Sequence, residues 1–351
     1  MFEHSLLGGL LGDDAVLAAF SSAATLSHFR DFEIALTKAL AGNGLLSSDA
    51  ADAIIAGCRS FVPDTERLRL DTVTDGLPVP AYIRQLKAHI GAPHAEFVHL
   101  GATSQDLIDT ALALALSDVN LQFKQKINDL KENLQVLIQS FGANTLMGRT
   151  RMQAALPIDV SHRVKAWLAP LQRHRGRLQS VGPAVSVLQF GGAVGTRHAY
   201  GGRADAIAEQ MANALGLHNP LAPWHTERDN LADYANWLSL VTGSLGKMGQ
   251  DICLMAQQGF EEITLTGGGG SSAMPHKQNP IAAETLVTLA RYNAVQLSAM
   301  HHALIHEQER SGSAWTLEWM ILPNMCEATA SALSTALRLT GQVSAMGTRV
   351  G

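Results

Sequence analysis

Cysteine is scarce in this sequence, with Cys58, Cys253 and Cys326 the only three in 351 residues. They lie far apart and lack metal-ligand spacing, so we expect neither a disulfide framework nor a zinc site. No cluster of His, Cys and carboxylate residues has the spacing of a metal site either. We therefore expect no cofactor and no metal, in a reducing, cytoplasmic environment.

The N-terminus lacks the basic stretch, apolar run and small-residue cleavage site of a signal peptide. No apolar run approaches the roughly 20 residues that a membrane span needs. The net charge is -5, and the scattered Lys and Arg residues form no basic stripe of the kind that binds nucleic acid. We expect a soluble protein without membrane or nucleic-acid partners, in which a local cluster of cations binds any anionic ligand.

Alternating apolar and polar residues, the pattern of a half-buried strand, are also missing over any useful length. The apolar residues recur at a period close to 3.5, which predicts an all-α fold built on a long-helix bundle. Three stretches of about 30 residues or more contain no proline: 106–141, 227–262 and 281–310. The second has a seam with alternating steps of three and four, as in a coiled coil. The seam residues are Leu231, Tyr234, Leu238, Val241, Leu245, Met248, Ile252 and Met255.

Three domains are expected: a smaller helical N-terminal domain (1–104), the central bundle (105–340), and a tail or truncated start of a C-terminal region (341–351). The sequence ends about one helix after an expected turn at Pro323, which predicts little or no C-terminal domain. Glycines and prolines mark the expected ends of the N-terminal helices, at residues 42–44, Pro63, Pro78, Pro80 and Gly91.

Residues 266–280, TGGGGSSAMPHKQNP, combine a glycine run, paired serines and a basic pair before a helix start. The glycines favour a flexible lid, and a polar loop that caps the next helix is the alternative. The stretch GSSAMPHKQNP closely resembles the fumarase/aspartase superfamily signature, Gly-Ser-Ser-x-Met-Pro-x-Lys-x-Asn-Pro. The resemblance implies that Ser271 transfers a proton on a mobile loop, and that Lys277 and Asn279 hold substrate carboxylates. Alignment alone favours Ser271 over Ser272.

Residues 99–110, HLGATSQDLIDT, resemble the first signature region of the superfamily, with its Thr-Ser-x-Asp element at residues 103–106. Thr103 and Asp106 have capping-box spacing, and a helix N-terminus with free N–H groups and hydroxyls is a natural carboxylate receptor. Thr103 and Ser104 are therefore candidate substrate-binding residues. Capping alone is the alternative, and the two roles can coexist.

Residues 148–157, GRTRMQAALP, resemble the second signature region, in which Arg151 stands where amidine-forming lyases have histidine. Arg151 and Gln153 are candidate substrate-binding residues. Thr74 and Asp75 occupy the place where adenylosuccinate lyases tend to carry a His-Asp pair. These two departures put ordinary C–N lyase activity in doubt.

Weaker matches to the superfamily occur at residues 191–202, 225–229 and 306–313. From these segments we take Arg310 as a candidate carboxylate ligand and His225 as a candidate substrate-binding residue. Considered alone, several residues fit surface or capping roles better than catalysis: His198, His225 and Arg197. Packing inside a long helix explains His301 and His302 better.

The resemblance is greatest to the 3-carboxy-cis,cis-muconate lactonizing enzymes, the cycloisomerases of the superfamily. It implies intramolecular carboxylate addition across a C=C bond, in the protocatechuate branch of the β-ketoadipate pathway. The attacking carboxylate, with a pKa near ~4, is already ionised and needs no base. Ser271 would donate the proton, while Lys277 and Arg151 would stabilise the enolate-like intermediate. The alternatives are an adenylosuccinate- or argininosuccinate-type lyase, a sulfomuconate cycloisomerase, or a non-enzymatic helical scaffold.

Helix length predicts that each site is shared between chains. Thr103 and Arg151 flank a predicted helix roughly 50 Å long at 1.5 Å per residue, and His225 and Ser271 are separated by a similar distance. One chain can hardly bring both ends to one small polycarboxylate substrate, so neighbours in a symmetric oligomer are expected to supply the missing segments. The resemblance implies a homotetramer with shared active sites.

Overall fold

The computed structural model describes residues 1–270, 274 and 277–349. This part of the chain is mainly helical, which confirms the predicted all-α class. None of its helices combines the length and apolarity needed to cross a membrane. The first helices are α1 (Gly8–Leu11), α2 (Asp14–Ala19), α3 (Ser22–Gly42), α4 (Ser48–Ser60), α5 (Thr65–Asp75) and α6 (Val79–Ile90). The later ones are α7 (Ser104–Phe141), α8 (Val160–Val185), α9 (Ala204–Leu215), α10 (Asp229–Met255), α11 (Ile281–His302) and α12 (Ser313–Gly341).

Local sequence signals set the ends of the N-terminal helices. Ser21, Ser47 and Asp64 each precede a helix and accept a hydrogen bond from the backbone N–H three residues on, as N-caps do. Gly76, in the left-handed region at φ 76°, ends α5, and Gly91 ends α6. The expected breaks at residues 43–44, Pro63, Pro78 and Gly91 therefore fall between helices, whereas Gly42 is the last residue of α3 and Pro80 lies in the first turn of α6.

The bundle consists of α7, α8, α10, α11 and α12, and α10 packs against α8, α11 and α12. Every residue of the predicted seam in α10 is buried. Gly249 allows α11 to approach closely, because a Cβ atom there would lie 2.5 Å from the Ala283 carbonyl oxygen. The seam and its glycines thus place α10 at the centre of the bundle.

Several helix boundaries differ from the prediction. Pro323, expected in a turn, lies inside α12, and α8 likewise continues through Pro170 and Pro183. Tertiary packing outweighs the local cost of a proline in both helices. The stretches 227–262 and 281–310 were predicted too long, since α10 ends at Met255 and α11 at His302. His301 and His302 are exposed in the last turn of α11, so packing does not explain them.

Two short antiparallel pairs correct the expectation that strands are absent. β1 (Thr145–Thr150) and β2 (Gln153–Asp159) form a hairpin, and β3 (Ile263–Leu265) pairs with β4 (Val343–Met346). The strands are too short, and their burial too irregular, to give a clear alternation.

Two apolar cores lie in the described residues. The larger fills the bundle, and the second lies among α3, α4 and α6. The second core also takes residues from α7 and α9, for example Leu107 and Met211. The division into three domains at residues 104 and 340 stays a prediction.

Candidate functional site

Asp106, in the first turn of α7, is a fully buried carboxylate at the centre of the candidate site. It accepts backbone hydrogen bonds from Thr103 at 3.0 Å, Gly191 at 2.8 Å and Gly192 at 2.9 Å. His225 Nε2 donates a fourth, at 2.8 Å. The bond from Thr103 is the one expected from the capping-box spacing. The other three tie the helix terminus to two distant segments.

His225 is buried beside Asp106, which overturns the surface or capping role that the sequence favoured for it. Its Nδ1 is also buried and has no hydrogen-bond partner in the part of the chain that the structure describes. A Cβ atom at residue 191 would lie 2.8 Å from the His225 ring, so Gly191 is needed for the ring to fit. Arg197 is buried as well, and its Nε donates to the Phe190 carbonyl at 2.7 Å. His198 is exposed, as expected.

Arg228 forms a buried ionic network about one helical turn along α7 from Asp106. Its Nη1 donates to Asp109 at 2.7 Å, and its Nη2 donates to Glu318 at 2.6 Å. All three side chains are at most 2% exposed. The Arg228 guanidinium stacks 4.6 Å from the Trp224 ring, and Trp315 Nε1 donates to Asp109 at 2.9 Å. The network fixes the starts of α7, α10 and α12 relative to one another.

Gln105 connects this network to Arg310. Its Nε2 donates to Asp109 at 3.1 Å and to the His225 carbonyl at 2.8 Å. Its Oε1 accepts from Arg310 Nε at 3.0 Å. Gln105 is fully buried, whereas Arg310 is exposed and lines a cavity of about 730 Å³ that also includes Asp75 and Trp315. A cation beside a helix N-terminus suits a carboxylate ligand.

His99 lies just before this helix terminus, at a positive φ of 60°. Its backbone N–H and its Nδ1 both bond to the buried carboxylate of Glu33, at 3.1 and 2.6 Å. Burial alone would lower the pKa of His99, but the charges of Glu33 and Asp106 and the hydrogen bond outweigh it. The pKa of His99 is therefore raised above its ordinary value of 6.5.

Arg151 and Gln153 lie at the tip of the β1–β2 hairpin, beyond the other end of α7. Arg151 and Met152 form the two-residue turn, and both have positive φ. The side chains of Arg151 and Gln153 are exposed and make no hydrogen bond within the described residues. Arg149 anchors the hairpin through an ion pair with Glu262, which leaves the tip open to solvent.

Lys277 and Asn279 precede α11, and Ser271 and Ser272 lie outside the described residues. Asn279 pairs with Gly269 through two backbone hydrogen bonds of 2.9 and 3.0 Å, and Lys277 is exposed. Nearby, the Thr266 N–H donates to the carbonyl of Gln342, just after α12 ends. This segment therefore lies at the same end of the bundle as the hairpin.

The predicted site residues fall into two groups at opposite ends of the bundle. Thr103, Ser104, His225 and Arg310 lie around the start of α7. The second group follows the far end of α7, which is an uninterrupted helix of 38 residues and so roughly 57 Å long at 1.5 Å per residue. It comprises Arg151, Gln153, Lys277 and Asn279.

A family described as "Lyase" matches residues 13–294 of this chain. The chain belongs to this lyase family. The 3-carboxy-cis,cis-muconate cycloisomerase of Pseudomonas aeruginosa is 38% identical over 328 residues, which cover 92% of this chain and 72% of the relative. The crystal structure of the 3-carboxy-cis,cis-muconate lactonizing enzyme from Pseudomonas putida is 37% identical, with a TM-score of 0.91 over 97% of this chain and 77% of that one. A fumarate lyase from Mesorhizobium sp. BNC1 is 32% identical, with a TM-score of 0.90 over 96% and 76%.

These comparisons confirm the superfamily and the fold predicted from the signature. Much of the polar network in this lyase-family chain was nevertheless not predicted from the sequence, including Asp109, Glu318 and the His99–Glu33 pair. Asp109 offered a faint signal, because it follows Asp106 by three residues, a spacing that places both carboxylates on one face of the helix. Glu33 and Glu318 offered none, since only the fold places them beside their partners.

Proposed function

We propose that this chain is a cycloisomerase that converts 3-carboxy-cis,cis-muconate to the carboxymuconolactone, in the β-ketoadipate pathway. The similarity to cycloisomerases of that name over most of the chain carries the proposal. The site supports it chemically, since Arg310, Arg151 and Lys277 are exposed cations suited to a substrate with several carboxylates. The three cysteines are unpaired, which fits a cytoplasmic enzyme.

The proposed reaction forms a C–O bond between a substrate carboxylate and one alkene carbon, while a proton adds to the neighbouring carbon. The carboxylate is ionised at neutral pH, so no general base is needed. Ser271 donates the proton, and Lys277 and Arg151 stabilise the negative charge that develops on the adjacent carboxylate. Arg310 and the α7 terminus hold another carboxylate.

An assay with three substrates tests this proposal. Purified protein is incubated separately with 3-carboxy-cis,cis-muconate, adenylosuccinate and argininosuccinate, and each is followed by absorbance and mass. We expect consumption of the muconate alone, with a product of unchanged mass. Fumarate release from either succinate derivative would assign the chain to the amidine-forming lyases, and no turnover of any substrate would favour a scaffold.

We further propose that each site combines the two groups of residues from different chains of a homotetramer. The separation by the length of α7 supports this, because one small substrate cannot touch both ends of a helix roughly 57 Å long. In an oligomer with closed symmetry, every site then receives the same two groups of residues from its neighbouring chains.

Mixed oligomers test the sharing. Arg310→Ala and Ser271→Ala subunits, each inactive alone, are refolded together in equal amounts. Random assembly leaves ~1/4 of sites with both residues intact if they come from different chains, so about a quarter of the activity should return. No recovery, with hybrid oligomers demonstrated by native mass spectrometry, would contradict shared sites. A parallel mixture of Ser271→Ala with Arg151→Ala tests whether these two residues, at the same end of the bundle, also serve different sites.

A further inference from the structure

We propose that Gln105 is a positioning residue that aims the Arg310 guanidinium and keeps its charge free for an anionic ligand. The inference rests on the proposed function, because it takes Arg310 as the receptor of a substrate carboxylate. Gln105 itself is fully buried and acts through Arg310 without touching the ligand.

The hydrogen bonds of Gln105 permit one orientation of its amide. The two N–H donors face two acceptors, Asp109 Oδ2 at 3.1 Å and the His225 carbonyl at 2.8 Å. The amide oxygen faces the Arg310 Nε–H at 3.0 Å. A flipped amide would place N–H against N–H and oxygen against two oxygens, so the surroundings fix the carbonyl toward Arg310. This bond in turn fixes the plane of the guanidinium.

The second observation concerns charge. Arg310 hydrogen-bonds to the Gln105 amide oxygen and to the carbonyls of Gly192 and Ala193, at 3.0, 3.5 and 3.1 Å, all of which are neutral. None of the ion pairs within residues 1–270, 274 and 277–349 involves Arg310. Arg228, by contrast, is neutralised by two buried carboxylates. Arg228 is thus a structural residue whose charge is neutralised within the protein. Arg310 is exposed, and its hydrogen-bond partners are neutral, so its positive charge can attract an anionic ligand.

Position 105 therefore controls whether Arg310 can attract an anion. A glutamate there would have the same shape and still accept from Arg310 Nε, while its second oxygen would face Asp109 Oδ2 and the His225 carbonyl in place of the amide N–H groups. When ionised, this glutamate would offset the charge of the guanidinium. Gln105 links Arg310 to the buried Asp109 network through hydrogen bonds and adds no charge of its own beside the guanidinium. This makes Gln105 a determinant of specificity for carboxylate substrates.

The test measures binding of tricarballylate, a stable small tricarboxylate, by isothermal titration calorimetry. Gln105→Glu is expected to raise Kd roughly 30-fold or more, because a negative charge at hydrogen-bond distance offsets the positive charge with which Arg310 attracts the ligand. Gln105→Met, which removes the hydrogen bonds but adds no charge, should raise Kd about fivefold or less. Tricarballylate affinity should fall with added salt for the wild type and much less for Gln105→Glu.

Gln189→Glu is the matched control. Gln189 is equally buried and also donates to Asp109 Oδ2, at 3.3 Å, but it does not contact Arg310. Both glutamate variants therefore place a new charge beside the same carboxylate. If the effect is specific to Arg310, Gln189→Glu should change Kd by about threefold or less, even when its Tm falls as far as that of Gln105→Glu.

The inference would be overturned if Gln105→Glu and Gln105→Met lost equal affinity, or if Gln105→Glu and Gln189→Glu did. It would also be overturned if the wild type did not bind tricarballylate. In turnover of the muconate, Gln105→Glu should raise KM more than it lowers kcat. Failure of the proposed function is distinguishable, because the wild type would then leave the muconate unchanged while the calorimetric comparison still reports on Gln105.

Discussion

Glu327, on α12, is a buried carboxylate whose replacement by glutamine should stabilise the protein above neutral pH. It is 2% exposed, and one oxygen accepts from the Asp13 N–H while the other has no partner within the described residues. Lys126, the cation of this cluster, is already bound to Asp13 and to Ser334, the latter at 2.8 Å. Burial and, to a smaller extent, the charge of Asp13 raise the pKa of Glu327. They outweigh the hydrogen bond from the Asp13 N–H and the charge of Lys126, which lower it, so the pKa is about 7.

The size of the effect follows from that pKa. The folded-state value lies above the ordinary 4.5, so folding favours the protonated form and ionisation opposes folding. A difference of about 2.5 pKa units corresponds to a loss of roughly 3 kcal/mol of stability, which is absent below pH 4.5 and complete once the pH exceeds about 7. Glutamine mimics the protonated acid and cannot ionise. The stability gain of Glu327→Gln over the wild type should therefore grow across this window.

The assay is chemical denaturation of both proteins at intervals from pH 5 to 8.5, followed by circular dichroism. Glu318→Gln is the control, because Glu318 is equally buried on the same helix but bonds to Arg228 through both oxygens. Removing its charge should destabilise the protein at neutral pH by about 1.5–3 kcal/mol. Parallel stability curves for Glu327→Gln and the wild type would refute the reasoning.

Four further predictions follow from the site. Ser271→Ala should lower kcat by roughly two or more orders of magnitude with helical content intact, whereas Ser272→Ala should do much less; reversed effects would shift the alignment by one residue. Exhaustive chelation with EDTA should leave the rate unchanged, and loss restored by a divalent ion would contradict metal-free catalysis. Arg151→His should weaken turnover, since a neutral imidazole cannot hold a carboxylate as a guanidinium does; unchanged kinetics would remove Arg151 from the site. Because Glu33 raises the pKa of His99, their pairing should stabilise the fold fully below pH 6.5 and progressively less as pH rises through the raised value. The stability difference between the wild type and His99→Gln should accordingly shrink from pH 6 to 9, and a constant difference would contradict the assignment.

Features encoded by neighbouring residues were predictable from the sequence. The α10 seam follows from its alternating steps of three and four, and the start of α7 from the spacing of Thr103 and Asp106. The superfamily followed from the fixed spacing of the signature at residues 270–280. Each of these signals spans only a few turns of chain, so no tertiary information is needed to detect it.

Local rules failed where distant packing decides the outcome. Pro323 reads as a turn, but α12 continues through it because the surrounding helices hold the segment in place. The β1–β2 hairpin was missed because its few residues give no clear alternation and its turn requires positive φ at Arg151 and Met152.

Local sequence patterns were sufficient to predict the helical class, the start of α7, the buried seam of α10 and the candidate residues of the signature segments. Which of those residues come together depends on the fold. It buried His225 against Asp106 from 119 positions away, bound Arg228 between Asp109 and Glu318, and left Arg310 with neutral partners. The physical reason is that the charge state and burial of a side chain depend on groups brought near it by the fold, and sequence separation carries no information about that distance.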